Sequence, residues 1–135
     1  MIMLLTHRSE IREQLNAFLQ GKGHETCIPA HHQDAMAMMK DCHPDLIILD
    51  LYLSEPNGIE VLKSLRHDGY QGRVIAISGE AMRSVTRDVH PLGVDNVLHC
   101  PAKIAEHFDF GELETALQSS LRDKPDHQAR IARRA

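Results

Sequence analysis

Four short apolar runs in this chain end in residues able to do chemistry. Ile2-Met3-Leu4-Leu5 is followed by Thr6 and His7, and Leu46-Ile47-Ile48-Leu49 by Asp50. Val74-Ile75-Ala76-Ile77 is followed by Ser78, and a run at 97–99 leads into Cys100, Pro101 and Lys103. A carboxylate and a hydroxyl at the ends of neighbouring strands can share a small anionic or cationic ligand. Imidazole, carboxylate and thiolate at His7, Asp50, His99 and Cys100 are also the residue types that ligate Zn²⁺. Which chemistry is reachable depends on the elements that carry these side chains.

Those elements alternate throughout. Strand-length apolar runs at 2–5, 26–29, 46–49, 74–77 and 97–99 are each followed by a segment with helical periodicity, the pattern of a parallel α/β sheet. The first helix is expected to start with Ser9 as N-cap and to bury Ile11, Leu15, Phe18 and Leu19, with Gly21 near its end. The second, over 33–41, turns Ala35, Met36 and Met39 inward as adaptable core. The run 46–49 has no polar alternation, as suits a central strand covered on both faces. Asn57 and Glu60 form a capping pair for a third helix that buries Ile59, Leu62 and Leu65. A fourth helix spans 81–90 before Pro91 and Gly93, and a fifth follows Asp109 with Leu113, Leu117 and Leu121. The expected architecture is a doubly wound, flavodoxin-like (βα)5 fold. Such sheets place ligands at the carboxyl ends of their strands, where all the residues named above lie.

Composition narrows the function classes. A chain of 135 residues with 42% hydrophobic positions can bury one core and has no room for a second domain. No apolar run approaches the roughly 20 residues of a membrane helix, and the N-terminus lacks a signal-peptide pattern, so a cytoplasmic protein is expected. Cys27, Cys42 and Cys100 are an odd set without CxxC spacing, which suggests reduced thiols and neither a disulfide framework nor a zinc ribbon. The net charge is −4, while the segment 121–135 carries five Lys or Arg against two Asp. A net-acidic body argues against direct nucleic-acid binding. The basic segment 123–135 reads as a tail or linker after a domain over 1–122. Neither GxGxxG nor GxxxxGK[ST] occurs, and Thr6-His7-Arg8-Ser9 has no glycine for a flavodoxin-like phosphate loop.

The segment Pro44-Asp-Leu-Ile-Ile-Leu-Asp50-Leu-Tyr-Leu-Ser-Glu-Pro-Asn-Gly58 resembles the phosphoacceptor region of bacterial response-regulator receiver domains. Val74-Ile-Ala-Ile-Ser78-Gly-Glu-Ala and Gly93-Val-Asp-Asn-Val-Leu-His-Cys-Pro101 match that family's fourth- and fifth-strand motifs in order and spacing. The resemblance implies strand order 2-1-3-4-5. It also implies Asp50 as phosphoacceptor, Ser78 as the hydroxyl that takes a phosphoryl oxygen, and Pro101 as the proline after a cis peptide.

Elsewhere the chain departs from the family. The acidic pair that helps bind Mg²⁺ falls on Thr6 and His7, the conserved-type lysine falls on Cys100, and the switching aromatic of strand five falls on Val97. A hydroxyl and an imidazole in place of two carboxylates weaken a Mg²⁺ site, and the lost ammonium removes a cation from the transferring group. Lys103, Glu55 and Glu80 are candidates for compensation but read better as solvated loop charges. Strand five lies two strands from strand three in the implied order, about 9–10 Å away, which cysteine does not bridge. Cys100 is therefore read as a small buried hydrophobe, and no native metal site is expected. His7 beside Asp50 suggests an imidazolium–carboxylate pair in place of the metal.

The expected function is a two-component signal-transduction receiver with a degraded phosphorylation site. It would act by binding signalling proteins such as a histidine kinase or a downstream effector. The resemblance points to a contact face made by 81–90, the fifth strand and the last helix, with Arg83, Arg87, Lys103, Glu106 and Glu114. The alternative is a working receiver, phosphorylated on Asp50 through an atypical cation site.

Overall fold

The structure is a computed structural model that describes residues 1–6, 8–29, 32–51, 58–78, 90–99 and 110–122. Five strands form one parallel sheet in the order β2-β1-β3-β4-β5: β1 Ile2–Leu5, β2 Thr26–Cys27, β3 Leu46–Asp50, β4 Arg73–Ser78 and β5 Asn96–His99. Four helices are described, α1 Ser9–Gly21, α2 His32–Cys42, α3 Gly58–His67 and α4 Phe110–Arg122. The alternating order and the 2-1-3-4-5 sheet agree with the sequence expectation.

Successive strand side chains point to opposite faces of the sheet, so each apolar run feeds two cores at once. On one face, Ile2, Leu4, Leu46, Ile48, Ile75 and Ile77 meet Ile11, Leu15 and Leu19 of α1 and Leu113 and Leu117 of α4. On the other, Met3, Leu5, Ile47, Leu49 and Val74 meet Ala35 of α2 and Val61, Leu62 and Leu65 of α3. All five residues of β3 are buried, and the strand pairs with β1 on one side and β4 on the other. The residue that ends this strand is thereby held at the carboxyl edge of the sheet's central strand.

Several local expectations need correction. Ser9 is the first helical residue and not the N-cap; Arg8 holds the cap position with extended backbone and no side-chain cap. A guanidinium carries donors only, so Arg8 has no acceptor to offer the first N–H groups of the helix. Strand β2 is two residues long and stops before Ile28, which packs against the α1 face of the core. In α3 the fully buried positions are Val61, Leu62 and Leu65, while Ile59 is only partly covered. Asn57 of the expected capping pair and residues 81–89 of the helix expected over 81–90 lie outside the described residues. His90, Pro91 and Leu92 form a 3₁₀ turn, so the proline sits within the turn. At the end of α2, His43 takes the left-handed conformation (φ 46°) and its N–H donates to the Met39 carbonyl, turning the chain into β3.

One arginine secures the edge opposite the site. Arg66, in the last turn of α3, donates from Nε to the Leu92 carbonyl at 2.8 Å and from Nη2 to the Gly93 carbonyl at 3.0 Å. Its Nη1 reaches the carbonyls of Tyr70 and Gly72 at 2.9 and 3.0 Å. Burial pulls the Arg66 pKa down from its ordinary value, with Tyr70 and Asp95 opposing that shift. Arg66→Ala strands these carbonyls and is expected to cost roughly 2 kcal/mol in urea unfolding. Lysine, lacking the planar fork, should recover little of that loss.

Candidate functional site

The site is built where β1 and β3 run out side by side. Leu5 is in register with Leu49, so the next residues, Thr6 and Asp50, emerge together at the carboxyl edge. On the other flank Asp50 is in register with Ile77, and Ser78 follows it by one residue. The Leu51 N–H donates to the Ile77 carbonyl at 2.9 Å, which carries the ladder past Asp50. Behind it, Gly58 begins α3 against the backbone of Asp50 and Leu51.

Asp50 is 1% exposed, and a carboxylate so buried needs partners. The Thr6 hydroxyl donates to Asp50 Oδ2 at 2.6 Å. Arg8 donates from Nε to the same oxygen and from Nη2 to Oδ1, both at 2.8 Å. This is the two-pronged guanidinium–carboxylate geometry, the strongest form of side-chain ion pair. The Arg8 N–H donates to Thr6 Oγ at 3.1 Å, so backbone and side chain of one residue close on the same threonine–aspartate pair. Arg8 itself is 26% exposed, so the fork lies between the buried carboxylate and solvent.

The structure thus brings Thr6 and Asp50 into direct contact and places buried Ser78 on the adjacent strand. Val97 is half-buried one strand further out, in register with Ala76, and packs with Leu92 and Val94 on the α2–α3 side. Glu114 of α4 pairs with Lys22, the C-cap of α1, at 3.2 Å. His7, Glu55, Glu80, Cys100, Pro101 and Lys103 lie outside the described residues, as do Arg83, Arg87, Glu106 and the basic segment 123–135. Among the described residues no group of three or more His, Cys, Asp or Glu is placed to hold a metal ion.

The residue that sequence reasoning missed is Arg8. The sequence points to His7 as the cation on Asp50; the structure puts a guanidinium there from the next position. The available signal was an arginine two residues beyond a strand whose neighbour ends in aspartate. Its long side chain reaches back where a shorter one at that position would not.

Comparison with known proteins agrees with this geometry. Residues 2–109 match the model of the response regulator receiver domain. The regulator of RpoS from Escherichia coli K12 is 30% identical over 103 residues, 76% of this chain. This chain spans about 30% of the length of that relative. Among solved structures, a CheY-like receiver domain protein from Methanospirillum hungatei superposes with a TM-score of 0.77 at 17% identity, covering 93% of this chain and 96% of that one. Chemotaxis protein CheY4 of Vibrio cholerae superposes with a TM-score of 0.75 at 19% identity, covering 88% and 96%. The parallel 2-1-3-4-5 sheet, the carboxylate at the end of its central strand and the family match together place this chain in the response regulator receiver domain family.

Proposed function

We propose that this receiver domain acts by contact with signalling proteins, a kinase or an effector, and not by phosphoryl transfer at Asp50. The observation that carries the reading is the Arg8 fork. Both carboxylate oxygens at the acceptor position already accept charge-assisted hydrogen bonds from the protein's own cation.

Phosphoryl transfer to an aspartate needs a free carboxylate oxygen in line with phosphorus, and cations on the oxygens that gain charge. Here the nucleophile's oxygens point into a guanidinium and a hydroxyl. Mg²⁺ favours carboxylate and water oxygens in a near-octahedral set. The described side-chain oxygens at this edge are the neutral hydroxyls of Thr6 and Ser78 and one carboxylate already paired with Arg8, and this set does not fit the ion. The fixed positive charge sits where a divalent ion would otherwise draw its charge balance. A receiver of this kind holds one surface permanently, and partners read that surface. Val97 supports the same view, because a half-buried valine has no ring to exchange between inward and outward positions.

The test is intact-mass analysis of the protein after incubation with acetyl phosphate and Mg²⁺, with Asp50→Asn in parallel. No phosphoryl adduct is expected on either protein, and the Thr6 and Asp50 amide signals should stay in place as Mg²⁺ is added. An adduct on wild type that Asp50→Asn lacks would overturn the proposal and establish a working receiver.

A further inference from the structure

At the opposite edge of the sheet two thiols meet. Cys27 ends β2 and Cys42 ends α2, and their sulfurs are 3.3 Å apart although 15 residues separate them in sequence. Both backbones are fixed. Cys27 is in register with Met3 of β1, and Cys42 is followed at once by the left-handed His43 that caps α2. Cys27 is buried, whereas Cys42 is half-buried.

We propose that Cys27 and Cys42 are a modification site at which a hydroperoxide converts the two thiols into a disulfide that ties β2 to the end of α2. The contact already has the sulfurs side by side, and a bond of about 2.05 Å requires them to close by roughly a further 1 Å. The less buried partner reacts first. The Cys42 sulfur attacks the peroxide O–O bond, giving a sulfenic acid and releasing water or alcohol. The Cys27 sulfur then attacks the Cys42 sulfur, the S–O bond breaks, and the departing hydroxide takes the Cys27 proton as a second water. Two thiols are oxidised by two electrons and one peroxide is reduced. Burial, followed by the Cys42 contact, pushes the Cys27 thiol up to about 11, so it stays protonated and suits the resolving role better than the initiating one.

The effect would fall on the least-paired strand. β2 has two register pairs with β1 and nothing beyond it in the sheet order. A covalent link there closes a loop in the unfolded chain and stabilises the folded edge.

The experiment uses the full chain carrying Cys100→Ser, treated with hydrogen peroxide in native buffer, then alkylated and mapped without reduction. A mass loss of about 2 Da, a peptide joining Cys27 to Cys42, reversal by dithiothreitol and a melting temperature raised by roughly 5–10 °C are expected. In the same background, Cys42→Ser should leave Cys27 reduced. Gains of about 16 or 32 Da on Cys42 without the joined peptide would overturn the proposal. So would a joined peptide that forms only in denaturant.

Discussion

Arg8→Ala lowers the unfolding free energy by roughly 3 kcal/mol, and by more than Asp50→Ala does. The asymmetry follows from burial. Asp50 is 1% exposed and Arg8 26%, so the two ends of the ion pair face different alternatives when the partner is removed. Without Arg8, the carboxylate stays beneath the sheet edge and loses the guanidinium that pairs with both of its oxygens, in a medium where a poorly compensated charge is costly. Without Asp50, the guanidinium, already 26% exposed, has solvent within reach. Partial exposure of Arg8 screens the interaction, which is why the expected value sits at the low end for buried pairs. Urea unfolding of wild type, both single variants and the double variant measures the effect as a cycle. A coupling of about 1.5 kcal/mol or more is expected. Additive losses would show that the fork contributes nothing.

Gly58→Ala is the second large effect, and its sign is the informative part. Helix propensity alone favours alanine over glycine by roughly 1 kcal/mol. Yet a Cβ at Gly58 would lie 2.5 Å from the Leu51 Cα and 2.8 Å from the Asp50 carbonyl oxygen. Both obstacles are backbone, held by the Leu51 N–H bond to Ile77, so neither yields as a flexible side chain would. The start of α3 must lift, or the end of β3 must bend. A net loss of about 2–4 kcal/mol is expected, with the Asp50 and Thr6 amide signals displaced. A more stable Gly58→Ala would mean that α3 does not press on the strand end.

Much of this arrangement is legible in the sequence. The unbroken run Leu46-Ile47-Ile48-Leu49 announces a strand covered on both faces, and its closing carboxylate falls at the carboxyl edge by topology alone. Helix faces such as Ile11, Leu15 and Leu19 follow from periodicity. The Arg8 fork does not, because its formation depends on the extended backbone at Arg8 (φ −81°, ψ 103°), and no periodic pattern encodes the backbone conformation of a single residue before a helix. Nor does the Cys27–Cys42 contact, which arises from how the end of α2 settles against an edge strand. Val61 was hidden for a simpler reason. The apolar stripe of α3 is wide enough that either Ile59 or Val61 can face the sheet, and only packing decides.

The fork at Asp50 also sets a toll on anything that competes for that carboxylate. A ligand that binds only the opened form has its apparent affinity reduced by the fraction of molecules in which Arg8 has let go. If opening costs about 3 kcal/mol, that fraction is below roughly one in a hundred, and every competitor is weakened about a hundredfold before its own contacts count. The same arithmetic runs in reverse: a partner protein that draws Arg8 onto a carboxylate of its own would release Asp50 in the act of docking.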